Sequence, residues 1–151
     1  MIHDAIFTFL LSISPFGEAR VGIPFGALNG LPLLIAFTIG LGANLLVFPF
    51  FYRLIRLFNK VLWPKRWYKK SAVYLTKKAK RGTQSKLEKY GAWGLMVFVM
   101  IPLPVTGAYI GTLAAYVMGI PYKKAFVAVT VGVTISSLII ATGLYFGMKT
   151  F

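Results

Sequence analysis

Glu18 and Arg20 are the only charged residues between Asp4 and Arg53, and they stand directly after the sequence Ser14-Pro15-Phe16-Gly17 in a stretch that is otherwise apolar. Together they offer a proton-accepting or gating acid and an anchor for an anionic group. Two residues apart on a helix, they point to nearly opposite sides, so neither neutralises the other well and each needs a further partner. Competing bland readings are a first-turn acid that complements its helix dipole, for Glu18, and an ion pair or a clamp on the carbonyls of another hairpin, for Arg20. Thr106 and Tyr109 follow Pro102-Leu103-Pro104 at the matching place in a second apolar stretch. They supply hydroxyl donors to the same site, or are satisfied interface groups.

Little other chemistry is available. The chain has no cysteine, one histidine (His3) and three acids, Asp4, Glu18 and Glu88. These cannot assemble a thiolate, histidine-rich or carboxylate-rich metal site, nor a nucleophile, base and orienter with credible spacing. We expect no enzyme, cofactor or metal.

The elements that position the charged pair follow from hydropathy. Of the 151 residues 58% are hydrophobic and 13% charged, against about a quarter charged in globular domains. Residues 33–52 and 125–148 carry no charge and are long enough, at ~1.5 Å per residue, to cross a hydrocarbon core of ~30 Å. The net charge of +14 is regional, because 13 of the 17 Lys and Arg lie between Arg53 and Lys89. The positive-inside rule places that segment in the cytoplasm, with Lys123 and Lys124 marking a second cytoplasmic end. Residues 1–16 lack a basic n-region and a cleavage site, and are read as mature protein.

The other apolar stretches, 2–30 and 90–120, are each broken near the middle by proline, which removes a donor and opposes helix. The second must begin and end on the cytoplasmic side. Each is therefore read as a re-entrant hairpin, with Pro15, Gly17 and Pro24 forming the turn structure of the first, and Pro102, Pro104 and Gly107 that of the second. Broken backbone at such depth must line a cavity or be buried in protein.

A shift of 89 positions pairs Pro15, Ala19, Gly22, Gly30, Pro32, Ala36 and Phe37 with Pro104, Ala108, Gly111, Gly119, Pro121, Ala125 and Phe126. The expected fold is all-α and integral to the membrane. It is an inverted repeat of two units (1–57 and 89–151), each a re-entrant hairpin followed by a transmembrane helix, joined by a basic cytoplasmic segment (58–88). Small residues at Gly22, Gly26 and Gly30, at Gly107 and Gly111, and at Gly143 and Gly147 permit close helix packing and suggest a homodimer. Trp63, Trp67, Tyr68, Tyr90 and Trp93 flank the basic segment as an interfacial belt does. Lys65, Arg66, Lys69, Lys70, Lys77 and Lys78 are assigned to anionic lipid head groups rather than nucleic acid.

Residues 15–26 (PFGEARVGIPFG), 90–95 (YGAWGL) and 101–111 (IPLPVTGAYIG) resemble the small multidrug export protein family. The resemblance covers about residues 14–142. Members of that family are similar to DedA or VTT-type membrane proteins, which implies paired re-entrant hairpins in an inverted repeat and a link to lipid or polyprenyl-phosphate translocation. Carried over by position, the implied functional residues are Glu18, Arg20, Pro24, Pro102, Pro104, Thr106 and Gly107. Where DedA proteins carry a second arginine this chain has none, and Val105 and Tyr109 replace glycine and tryptophan of the export family's pattern.

The resulting expectation is a multi-pass protein of a prokaryotic plasma membrane. It acts as a secondary transporter or translocase, proton-coupled or not, moving a small molecule or amphiphile past a mid-membrane site. Alternatives are a phospholipid or polyprenyl-phosphate flippase or scramblase, and a non-transporting scaffold that binds acidic lipids.

Overall fold

The computed structural model describes residues 1–102 and 107–150, with the side chains of residues 68, 72, 75, 76 and 78–89 outside that description. Among the described residues six helices follow one another: α1 (Ile2–Ile13), α2 (Glu18–Leu28), α3 (Leu33–Leu62), α4 (Arg66–Met100), α5 (Ala108–Val117) and α6 (Tyr122–Thr150). No strand occurs among the described residues.

Proline sets two of the helix ends. A residue that precedes proline is pushed out of the helical region, because the proline ring crowds its backbone. Ser14, before Pro15, is extended at ψ 138° and closes α1. Ile101, before Pro102, is extended at ψ 120° and closes α4. Pro24 is a correction to the sequence reading: it lies inside α2 rather than in a turn. It costs that helix the hydrogen bond to the Arg20 carbonyl, four residues back, without ending it.

The corners that follow α2 and α5 are the same structure built twice. Gly30 and Gly119 take φ of 92° and 69°, the left-handed region that glycine enters without a Cβ penalty. Around Gly30 the Leu31 amide donates to the Gly26 carbonyl, the Gly30 amide to Ala27 and the Asn29 amide to Phe25. Around Gly119 the Ile120 amide donates to Ala115, the Gly119 amide to Tyr116 and the Met118 amide to Ala114. Each donor and each acceptor differs by 89 between the two sets. Pro32 and Pro121 then open α3 and α6, with Ala36 and Ala125 donating to their carbonyls. The spacing found in the sequence is thus also a spacing of backbone hydrogen bonds.

α1 and α2 run antiparallel, since a Cβ on Gly22 would meet Ser12 and one on Gly26 would meet Thr8. The last turns of α4 pack against α5 and α6, where Val99 lies against Gly111 and Gly132. The segment expected as a connector, 58–88, completes α3 and forms most of α4, which continues unbroken through residue 89.

Two helices, α3 and α6, are long and apolar enough to cross a membrane. Their outward surface is apolar: Leu34 is 76% exposed, Phe50 68% and Val127 59%. The interior meanwhile holds Thr8, Ser12, Glu18, Asn44, Thr112, Ser136 and Ser137. Exposed large apolar side chains around a partly polar interior suit lipid as the surrounding solvent and not water. One core cluster includes Phe48, Val99, Ala115, Ala125 and Val129, and a smaller one joins Ala27, Leu31 and Ala36.

Candidate functional site

α2 begins at the Ser14–Gly17 connection, so its first turn brings Glu18 and Arg20 beside the second apolar helix pair. Glu18 is buried, and its backbone sits at φ 53°, a region that an L-residue occupies at a cost of about 1–3 kcal/mol. The surrounding contacts explain why it is held there. The Tyr109 amide donates to Glu18 Oε1 at 3.2 Å. Gly107 is the N-cap of α5, and a Cβ built on it would overlap the Glu18 carboxylate. A carboxylate from one helix pair therefore occupies the side-chain space of the other and caps the start of its helix.

That arrangement satisfies two needs at once. The first amides of a helix have no partner within the helix, and the helix dipole favours negative charge at its start. α5 has no capping side chain of its own, since its N-cap is glycine. Glu18 is thus a dipole-complementing acid, but for α5 and not only for α2.

Arg20 addresses the opposite pole. Its Nη2 donates to the Val99 carbonyl at 3.1 Å, in the last turn of α4, where carbonyls lack helical partners and positive charge is favoured. A charge-assisted bond of this kind is roughly twice as strong as a neutral one. Tyr109 returns the gesture: its hydroxyl donates to the Ile13 carbonyl at 2.5 Å, at the end of α1. The broken ends of each helix pair are thereby closed by side chains of the other.

The 89-residue spacing pairs position 18 with 107 and position 20 with 109. Glu18 and Gly107 touch each other. Arg20 and Tyr109 each reach the C-terminal end of the first helix of the opposite pair. Three of the four substrate- or proton-binding candidates from the sequence, Glu18, Arg20 and Tyr109, are thus brought together; Thr106 lies outside the described residues. Of the turn candidates, Pro15 lies between α1 and α2, Gly17 is the N-cap of α2, Pro102 follows α4 and Gly107 is the N-cap of α5. Pro104 also lies outside the described residues.

The basic candidates Lys65, Arg66, Lys69, Lys70 and Lys77 are exposed at the start of α4, apart from this site. The side chain of Lys78 is outside the described residues. Lys69 Nζ stands over the Trp63 ring at 5.7 Å from its centroid.

Other participants were missed by sequence reasoning. The Val99 and Ile13 carbonyls carry no side-chain signal. Gly107 was expected as a turn residue, and only its contact with Glu18 was not foreseen. Phe48, Tyr52, Tyr116, Tyr122 and Phe126 form a network of ring contacts between α3, α5 and α6. Asn59 donates to the Tyr116 hydroxyl at 2.6 Å beside it. The density of aromatics at 48–52 was the available clue.

No curated protein and no solved structure matches the chain. The family model described as "Putative small multi-drug export protein" matches residues 18–139, which begins at Glu18 and includes all of α2 to α5. With more than half of its length matched in this way, the chain belongs to that small multi-drug export protein family of membrane proteins.

Proposed function

We propose that this protein is a secondary transporter or translocase, which moves a small molecule or amphiphile through a site between two re-entrant hairpins near the middle of the membrane. The observation that carries this reading is the reciprocal bracing of the two broken helix pairs by Glu18, Arg20 and Tyr109. Intramembrane charge is costly and is retained where function requires it. Broken helices facing each other are where transporters built from repeats bind cargo.

In this proposal the two units have opposite orientation. The basic residues of 53–89 lie on the cytoplasmic side, α3 runs inward and α6 runs outward. Arms of 12 and 11 residues in α1 and α2 span roughly 16–18 Å, enough to reach mid-membrane but not to cross. Contact between the repeat-related positions 18 and 107 supports an axis passing between them. Glu18 is the proton-linked gate, because protonating it weakens its hold on the α5 amides. Arg20 exchanges the Val99 carbonyl for an anionic group of the cargo.

Purified protein in proteoliposomes, assayed with fluorescent amphiphiles of either charge, tests this. Flux lost in Arg20→Ala, and uncoupled from a pH gradient in Glu18→Gln, is the expected result. Unchanged flux in both removes the bracing residues from the mechanism. Movement of a fluorescent lipid between leaflets in the same vesicles would make the cargo a lipid. Cysteine substitutions at Asn29 and Gly119 label from opposite sides of the membrane if the units are inverted; labelling from one side sinks that topology.

A further inference from the structure

The first three turns of α4 form a groove that the transport site does not use. Arg66, Lys69, Lys70 and Lys77 stand around Trp67 and Tyr74. Positions 66, 70, 73 and 77 fall at the three- and four-residue steps of one helix face, while 67 and 74, seven apart, form an adjoining aromatic stripe. The groove is open to its surroundings, with Trp67 73% and Tyr74 65% exposed. No acid occurs in the sequence between Glu18 and Glu88, so residues 19–87 contain no carboxylate side chain to neutralise these cations. At roughly 1.5 Å per residue, Glu88 lies about 16 Å along the helix from Lys77.

We infer that this groove binds the phosphate head group of an anionic membrane lipid, with Arg66 and the lysines on the phosphate and the rings of Trp67 and Tyr74 at the level of the upper acyl chain. Charge complementarity favours an anion. The aromatic stripe favours a bilayer interface, where rings with one apolar and one polar edge are stable. Arginine adds planar, paired donors for phosphate oxygens, and lysine adds flexible point charges. The connection to α3, a helix long and apolar enough to cross a membrane, is three residues long, 63–65, and holds the groove close to the end of that helix. A basic helix with an aromatic face in that place lies along the lipid surface. This assignment is independent of the transport proposal, since it uses none of Glu18, Arg20 or Tyr109.

The test uses full-length protein carrying Trp63→Phe and Trp93→Phe, which leaves Trp67 as its only tryptophan, in vesicles of phosphatidylcholine with increasing phosphatidylglycerol. Bromine on the acyl chains of one lipid or the other quenches a nearby indole. Trp67 is expected to be quenched more by brominated phosphatidylglycerol than by brominated phosphatidylcholine, and salt should reduce the difference. Lys69→Gln, Lys70→Gln and Lys77→Gln combined should raise the phosphatidylglycerol fraction at half-maximal quenching by about fivefold or more, the worth of at least one cation near an anionic surface. Lys123→Gln with Lys124→Gln should leave it unchanged. Because the substituted lysines are exposed, unchanged helical circular dichroism in the triple variant is part of the expected result, and a loss of helicity would overturn the assignment of these residues to binding alone. Equal quenching by the two lipids, or quenching that the triple variant retains, overturns the lipid site. Competition by millimolar inorganic phosphate to the same extent as by the lipid would also overturn it, in favour of a free-anion site.

Discussion

The two helix-pair breaks lead into helices that end in the same kind of corner, at Gly30 and at Gly119, and differ in what they contribute. The first contributes side chains: a carboxylate at 18 and a guanidinium at 20. The second contributes space and main chain: no side chain at 107, an exposed helix start at 108–109 and the carbonyl of Val99. Had the first break's charges been duplicated in the second, two carboxylates would have met where positions 18 and 107 touch. Like charges at that separation repel strongly in a poorly solvated interior. Proline and glycine at positions 15, 22, 30 and 32 recur at the 89-residue spacing, whereas positions 18 and 107, whose side chains would collide, do not match. Tyr109 preserves the reach of Arg20 without its charge.

The largest expected effect comes from filling the space that this difference creates. Gly107→Ala should displace the Glu18 carboxylate and lower stability by about 3 kcal/mol, as expected for a buried charge deprived of its partners. Thermal unfolding in detergent measures it. The exchange Glu18→Gly with Gly107→Glu should recover part of the loss, since a carboxylate at 107 would then face the start of α2. No recovery would break the proposed equivalence of the two positions.

Removing the carboxylate alone is expected to cost less. Glu18→Ala leaves the first amides of α5 without their cap and should cost about 2 kcal/mol, while Glu18→Gln retains an oxygen acceptor and should cost less. The reciprocal bonds provide the next comparison. Arg20→Met should cost about 2 kcal/mol and Tyr109→Phe about 1 kcal/mol, because the first bond is charge-assisted and the second is not. Equal losses would mean that the guanidinium gains nothing from its place at the end of α4.

The smallest effect is a difference expected to vanish. Gly30→Ala and Gly119→Ala should each cost about 1 kcal/mol, since both force an L-residue into the left-handed region at the same kind of cap. Unfolding midpoints that shift by clearly different amounts would show that the matched hydrogen bonds are not energetically matched.

Much of this plan was legible in the chain. Continuous apolar runs gave away α3 and α6, because a span must be apolar along its length to sit in lipid. Proline marked the ends of α1 and α4, and Gly30 and Gly119 marked the ends of α2 and α5, because those residues act on the backbone within a few positions of themselves. Pro24 shows where this local logic fails: packing on both sides holds α2 together through a residue that opposes helix. The length of α4 was hidden for a similar reason, since its basic first part and apolar last part differ in solvent preference but not in backbone form.

The sequence by itself singled out Glu18 and Arg20, by placing two charges in a stretch that is otherwise apolar. Only the tertiary structure decided what they hold. Their partners are main-chain groups 91 and 79 residues away, and a backbone amide or carbonyl looks the same at every position of a sequence. Helix ends become sites for charge when the fold brings them opposite a side chain of the right sign, and that proximity is a property of packing alone.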